Sequence, residues 1–317
     1  MATSPRSSSF GLLEPEALHQ LSSMELRAQL IVEGFITGMH KSPYHGFSVE
    51  FAEHRPYNAG DDIRHVDWRV FAKSDRYYIK QYEEETNLRH YVVLDTSSSM
   101  NYRPTPTSIS KLHYSAYLAA GLSYLMVKQR DATGLLTFAD EVEEHIEPST
   151  TAAHLRRVFL ALEHTLKRPS EEPSGRRGTG LLAALHDISD RVHRRAFIVI
   201  LTDLLDPSLN PESLQRALRH LRSRGHEVLL LHVLHRASEV NLEGYDGPVI
   251  LEDMETGKEQ VLQPHQIRTA YQEEVRNFTE TVRRICLENR IGFEHMDTAE
   301  TYHRALSAYL NRRKRFH

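Results

Sequence analysis

The sequence contains little of several residue types that characterise common protein classes. It has one cysteine and one tryptophan among 317 residues. Cys286 alone cannot form a disulfide within the chain or build a zinc site from several cysteines, and its place in a helical pattern indicates a buried thiol. The net charge is only −4, so the composition does not favour nucleic acid as a partner.

Long apolar runs are also absent. The two longest, 196–205 and 228–234, are far shorter than the ~20 residues that a membrane-spanning helix needs, and they are typical of buried strands. We therefore predict no membrane insertion. Residues 1–13 lack a basic patch followed by an apolar stretch, so we expect a disordered N-terminus and a cytoplasmic protein.

The chain is predicted to consist of two regions. Residues 14–88 form an N-terminal helix and a small arm: apolar residues recur at helical spacing from Glu14 to about Met39, and Tyr77–Tyr82 alternates like a strand. The segment between them is dense in Gly, Pro, Asp and Arg. Residues 89–317 are predicted to form the main domain.

Strands and helices alternate throughout this main domain. Such alternation predicts a three-layer α/β fold, with a mostly parallel central sheet and helices on both faces. Segment 142–146 is expected to be a short edge strand, and 249–262 a hairpin that turns at Thr256 and Gly257. The other predicted strands are 91–95, 134–138, 196–203, 227–234 and 293–297. The predicted helices are 111–130, 151–166, 179–191 capped by Thr179, 211–225, a long helix ending near 290, and one from 300.

Polar side chains follow the predicted strands at the edge where α/β sheets bind ligands. Asp95, Ser97 and Ser99 come directly after a buried strand, and alternate residues of an extended segment point the same way. Thr179 follows two glycines, and Asp203 ends a later strand. All five side chains offer hard oxygen atoms, which suit Mg²⁺ or Mn²⁺. The alternative is that Asp and Ser act here only as caps of turns and helices.

The segment DTSSSM, beginning at Asp95, resembles the Asp-x-Ser-x-Ser signature of von Willebrand factor A domains. The resemblance implies a Rossmann-like fold of that type, with Thr179 and Asp203 as the remaining metal-site residues. It also implies that the three hydroxyls contact the metal while the two carboxylates act through water, leaving one position open for a partner's carboxylate. Leu204 departs from the pattern, because many members carry glycine there.

A second resemblance narrows the family. The stretch 42–85, with Arg55-x-Tyr57-x-x-Gly60-Asp61-Asp62-x-Arg64-x-x-Asp67-Trp68 inside it, is similar to the defining segment of the bacterial family known as domain of unknown function 58 (DUF58). The ending MDTAETYHRALSAYLNRR is similar to that family's terminus, so the likeness covers about 38–313. It implies a MoxR-type AAA+ ATPase as partner, and chaperone or adaptor work on a client protein.

The Arg55–Trp68 segment has two interpretations. Buried Arg–Asp pairs and the tryptophan could lock the arm onto the sheet, which we favour, or the segment could be a binding surface.

Three functions remain open. We favour a non-enzymatic, metal-dependent interaction module that acts with the ATPase. A Mg²⁺-dependent hydrolase or phosphotransferase using Asp95 as nucleophile is the alternative, although no lysine is evident in the nearby loops to assist it. A purely structural scaffold is the third. The sequence lacks the GxxxxGK[ST] and GxSxG motifs of nucleotide hydrolases and esterases.

Overall fold

The computed structural model describes most of the chain, namely residues 14–40, 54–57, 66, 68–80, 88–168, 180–206, 209–245, 247–254 and 257–316. The predicted disorder of residues 1–13 and most of the Arg55–Trp68 segment lie outside these residues. The helices are α1 (Pro15–His19), α2 (Met24–His40), α3 (Trp68–Ser74), α4 (Lys111–Lys128), α5 (Ala152–Lys167), α6 (Leu181–Arg191), α7 (Pro211–Ser223), α8 (Pro264–Glu288) and α9 (His303–Phe316).

Within the described residues, six strands form the central sheet, and four more form two small two-stranded sheets. The central strands are β3 (Arg89–Asp95), β4 (Ala132–Phe138), β5 (Val142–Ser149), β6 (Ala196–Thr202), β7 (Glu227–Leu234) and β10 (Gly292–Asp297). One small pair is β1 (His54–Pro56) with β2 (Tyr78–Lys80), and the other is β8 (Val249–Glu252) with β9 (Glu259–Leu262). The second pair confirms the predicted hairpin, and Gly257 in its turn has φ +70°.

The strand order of the central sheet is β10-β7-β6-β3-β4-β5. All neighbours run parallel except β5, which runs antiparallel to β4 at the edge. After β3 the chain adds β4 and β5 on one side. It then crosses back and adds β6, β7 and β10 on the other side of β3. This is the doubly wound order, and it reverses between β3 and β6, where such folds bind their ligands. The predicted α/β fold, with a mostly parallel central sheet and helices on both faces, is confirmed.

Helices cover both faces of the sheet, because successive strand residues point to opposite sides. Val92 and Leu94 of β3 face a core formed with α2, α4 and α9, while Tyr91 and Val93 face a second core formed with α6, α7 and α8. Every residue of β6 is buried. A strand enclosed on both faces must be apolar along its whole length, which explains the uninterrupted run AFIVIL.

The N-terminal helix packs into the first of these cores. Its residues Met24, Ile31 and Phe35 are almost fully buried beside α4. Gly121 permits this contact, since a Cβ there would lie 2.9 Å from Cγ2 of Ile31. The division at residue 88 stays a prediction, but α2 shares the hydrophobic core of the sheet.

Several local predictions need correction. The first predicted helix is interrupted between α1 and α2, where the chain turns at residues 20–23, and the last helix begins at His303 instead of Glu300. Helix α3 was not predicted, because Gly, Pro and charged residues surround it in the sequence. The tryptophan that begins it, Trp68, is 56% exposed and meets Phe71 edge-to-face, so it is not a buried lock.

Within the described ranges, no helix has both the length and the apolar content needed to cross a membrane. The cytoplasmic location stays a prediction.

Replacing Gly121 with leucine should separate α2 from α4. The added side chain would overlap Ile31 in a packed core, and such overpacking typically costs about 1 to 3 kcal/mol. Urea denaturation followed by circular dichroism measures the loss. The control is Gly247→Leu, where no atom lies within 4 Å of the added Cβ. Equal stability of the two variants would contradict the contact.

Candidate metal centre

Four of the five predicted ligands meet at the point where the sheet reverses its strand order. Asp95 is the last residue of β3, and Asp203 directly follows β6. Ser97 and Ser99 lie in the turn after β3. The side chains of Asp95, Ser97 and Asp203 are fully buried, and Ser99 is 7% exposed. The topology therefore brings together residues more than 100 positions apart, as the sequence analysis predicted for adjacent strand ends.

The two serine hydroxyls lie side by side. A short 3₁₀ helix, Ser98–Asn101, begins after Ser97 and turns the chain so that Oγ of Ser97 is 3.1 Å from Oγ of Ser99. The turn is fixed from behind by Asp95, whose Oδ1 accepts a hydrogen bond from the Ser97 N–H at 3.0 Å. A carboxylate that binds a backbone amide two residues ahead is a common way to hold such turns. The capping role considered for Asp95 is thus real, and it also positions the hydroxyls.

Asp95 is enclosed by donors and by another acid. Its second oxygen, Oδ2, accepts a hydrogen bond from the Thr202 hydroxyl at 2.6 Å. Burial, followed by the negative charge of Asp203, raises the pKa of Asp95 to about 7, and these effects outweigh the hydrogen bonds that would lower it. Near neutral pH the Asp95 carboxyl therefore holds its proton far more readily than an exposed aspartate does.

Asp203 is held in its ionised form. Burial alone would raise its pKa, but the ammonium of Lys111 and hydrogen bonds from the Leu205 N–H and the Ser99 hydroxyl lower it. The distances are 2.7 Å from Oδ2 to Lys111 Nζ and 3.0 Å from Oδ1 to the Leu205 nitrogen. The two acids therefore differ in charge. Asp203 is ionised, and its negative charge disfavours the ionised form of Asp95.

The loop after β6 has the shape expected where related sequences carry glycine. Leu204 has φ +59°, in the left-handed region, which costs a residue with a side chain roughly 1–2 kcal/mol. Its side chain is 3% exposed and packs in the second core. Burial of a leucine contributes about 1.5–3 kcal/mol, so it offsets the backbone strain.

The fifth predicted ligand, Thr179, lies outside the described residues. The next residue, Gly180, donates its N–H to the Ala139 carbonyl at 2.5 Å, and a Cβ there would lie 2.2 Å from the Asp140 carbonyl oxygen. Only glycine fits such a close approach. Gly180 is also the N-cap of α6, so the prediction that Thr179 caps this helix is wrong.

Lys111 was not predicted as part of the site, because no lysine is evident in the nearby loops. Lys111 lies instead in the first turn of α4, is 1% exposed and reaches both Asp203 and Glu239, the latter at 2.6 Å from Oε1. One signal was available: Lys111 lies seven residues before Leu118, on the apolar stripe of the helix. A charged residue on a buried stripe needs a buried partner. No signal marked Glu239, which lies in a short π-helix, Arg236–Val240, after β7.

The residues present fit a hard divalent cation. The donors are two adjacent hydroxyls with carboxylates beside them, which is the oxygen chemistry of Mg²⁺ and Mn²⁺. The single ammonium of Lys111 is paired with two carboxylates, those of Asp203 and Glu239, so the cluster has room for further positive charge. Over the described ranges, no three His, Cys, Asp or Glu side chains are grouped to hold a metal. An ion here would therefore depend on the serine hydroxyls.

Comparison with known proteins identifies the family. The model of a family described as "Protein of unknown function DUF58" matches residues 53–281. That is more than half of the chain, and the chain belongs to the DUF58 family. Uncharacterized proteins of Mycobacterium bovis and Mycobacterium tuberculosis are each 28% identical to it over 244 residues, which is 77% of this chain and 73% of theirs.

Solved structures of similar proteins are more distant. An aerotolerance-related membrane protein from Bacteroides fragilis is 18% identical with a TM-score of 0.44, covering 72% of this chain and 99% of that one. BatB from Bacteroides thetaiotaomicron is 16% identical with a TM-score of 0.42 over the same shares. The VWA domain of SpRpn10 is 14% identical with a TM-score of 0.34, covering 46% and 75%. The fold assignment rests on the strand order described above.

Replacing Asp95 with asparagine should change how stability depends on pH in the presence of a metal chelator. The pKa of Asp95 in the folded protein, about 7, lies above the ordinary aspartate pKa of 3.8, so the folded state binds the proton more tightly and wild-type stability falls as pH rises from about 4 to about 7. Asparagine removes this fall. Between pH 5 and pH 8 the variant should gain about 1 to 3 kcal/mol relative to wild type.

Urea denaturation at the two pH values tests this prediction. Asp190→Asn, on an exposed position of α6, is the control and should follow the wild type. Parallel pH profiles of Asp95→Asn and wild type would contradict the raised pKa of Asp95.

Proposed function

We propose that this member of the DUF58 family is a non-enzymatic protein-interaction module in which a bound Mg²⁺ or Mn²⁺ is the docking point for an acidic side chain of a partner. The observation that carries the proposal is the pair of hydroxyls, Ser97 and Ser99, 3.1 Å apart at the switch point of the sheet, with buried acids behind them. Thr179 is proposed as the third hydroxyl ligand.

The division of labour among these residues favours docking. Neutral hydroxyls reduce the charge of a cation less than carboxylates do, so an ion held by them still attracts an incoming anionic oxygen. Asp95 and Asp203 already accept hydrogen bonds from the protein, and their role toward a metal would be to position the hydroxyls and any bound water. When bound, the ion supplies the positive charge that a partner's carboxylate recognises.

The proposed partner is a MoxR-type AAA+ ATPase, with chaperone or adaptor work on a client protein. This assignment rests on the family resemblance. The site adds one chemical condition to it: the partner must present an exposed Asp or Glu side chain, since the metal would leave room for one carboxylate.

A metal-dependent hydrolase or phosphotransferase is the second candidate, and Lys111 is the observation that favours it. Aspartyl-phosphate chemistry uses a carboxylate on the metal with a general acid or base nearby. Two observations weigh against it. Asp95 is fully buried and both of its oxygens accept hydrogen bonds, so the nucleophile is not presented. The Lys111 ammonium is held between two carboxylates, so it is not available to a phosphoryl group.

Mg²⁺ or Mn²⁺ should stabilise the protein through the serine hydroxyls. At a metal concentration about 100 times Kd, binding contributes about 2.7 kcal/mol, which raises the Tm of a domain of this size by about 5 to 10 °C. The double variant Ser97→Ala/Ser99→Ala should lose most of this shift in a thermal-unfolding assay. Ser123→Ala, a buried serine in the middle of α4, is the control and should keep it. An unchanged shift in the double variant would remove the hydroxyls from the site.

The proposed partner should bind only when the metal site is intact. With a candidate MoxR-type ATPase in a pull-down, we expect capture in Mg²⁺, at least about tenfold less capture in EDTA, and the same loss for Asp95→Ala in Mg²⁺, because one lost charged contact is worth about 1.5–3 kcal/mol. Asp190→Ala on α6 should behave as wild type. Equal capture by Asp95→Ala would show that the metal site is not the docking point.

A further inference from the structure

Lys111 is a deeply buried charged group that the proposed function does not use. Its side chain is 1% exposed, and its ammonium lies 2.7 Å from Oδ2 of Asp203 and 2.6 Å from Oε1 of Glu239. The Tyr102 ring centroid lies 5.6 Å from it, within cation–π range. The ammonium is thus the positive charge that balances the acids of the candidate metal site.

The helix itself gives no reason for a lysine at this position. Lys111 is the first residue of α4, directly after the N-cap Ser110. The N-terminus of a helix carries partial positive charge, so acidic residues are favoured there and a cation is disfavoured. Its ion pairs with Asp203 and Glu239 therefore offset both the helix dipole and the cost of burial. The lysine therefore serves to pair with the two acids and not to stabilise the helix.

Glu239 is a second ion-pair partner for the Lys111 ammonium. Its other oxygen, Oε2, accepts a hydrogen bond from the His235 N–H at 2.7 Å, and its carbonyl accepts one from the Tyr271 hydroxyl at 2.9 Å. The carboxylate is therefore anchored to the turn after β7, and the backbone of the same residue is tied to α8. If Asp203 turned toward a divalent ion, Lys111 would remain paired with Glu239, so the exchange would leave no buried charge alone.

We propose that Lys111 is an internal competitor of the divalent ion: it neutralises Asp203 in the metal-free protein, and its charge lowers the affinity of the site for metal. This inference rests on the proposed function only in that the site binds Mg²⁺ or Mn²⁺. The competition makes the site responsive to metal concentration, because the ion must displace a charge already in place. Lys111 is accordingly an affinity-setting residue and not a ligand.

Four variants test the proposal, with the Kd for Mn²⁺ measured by isothermal titration calorimetry. Lys111→Met keeps most of the length of the side chain and removes its charge, so Mn²⁺ should bind about tenfold or more tightly than to wild type, because a competing cation is removed. Glu239→Gln leaves the ammonium to Asp203 alone and should weaken Mn²⁺ binding. The control Lys128→Met, at the exposed far end of α4, should match wild type.

The double variant Lys111→Met/Glu239→Gln separates competition from net charge. It removes one cation and one acid, so the charge of the cluster equals that of wild type, but Asp203 is no longer paired. Competition predicts tighter Mn²⁺ binding than wild type, whereas an effect of net charge alone predicts equal binding. The double variant also keeps the test valid if Lys111→Met, which leaves Asp203 and Glu239 without their cation, does not fold without metal.

A second readout is the thermal shift produced by Mn²⁺. Metal should stabilise Lys111→Met more than wild type, because the ion takes over the charge that the lysine supplied. If wild type binds Mn²⁺ and both Lys111 variants bind it with equal or lower affinity, the proposed competition is overturned but the metal site is not. No Mn²⁺ binding by wild type or any variant would overturn both proposals.

Discussion

Two acidic side chains are buried at the point where the central sheet reverses its strand order, and their negative charge has to be balanced inside the protein. A buried charge without a partner is strongly destabilising. Hydrogen bonds from Ser97 and Thr202 stabilise the Asp95 carboxyl, and the ammonium of Lys111 pairs with Asp203. The turn after β3, which donates to Asp95, and the lysine in the first turn of α4 both contribute to this balance.

The same requirement supports the proposal that the site serves docking and not catalysis. Asp95 and Asp203 already bind groups of the protein. The adjacent hydroxyls of Ser97 and Ser99 are the pair that can bind a cation. A nucleophile must be presented to its substrate, and Asp95 is enclosed. An interaction module needs only an ion whose charge is incompletely neutralised, and neutral ligands provide that.

Much of this arrangement could be predicted from the sequence, because it depends on local patterns. Apolar runs bounded by turn residues locate the strands, Pro211 and Gly225 mark the ends of α7, and polar residues after two strands indicate a shared edge. The pairing of Lys111 with Glu239 could not be predicted, since the two residues lie 128 positions apart and nothing in the sequence shows that they meet. The same holds for the start of α6, where the close approach of Gly180 to Asp140, not the capping preference of threonine, decides the boundary.

The central claim is that a divalent ion binds at the Ser97 and Ser99 hydroxyls. A structure of crystals grown with Mn²⁺ tests this claim most directly, through the anomalous signal of the metal. We expect one strong peak at bonding distance, about 2 Å, from the hydroxyl oxygens of Ser97 and Ser99, with Asp95 and Asp203 behind it. A peak elsewhere, or electron density that shows Lys111 on Asp203 with no metal beside the serines at saturating Mn²⁺, would contradict the central claim.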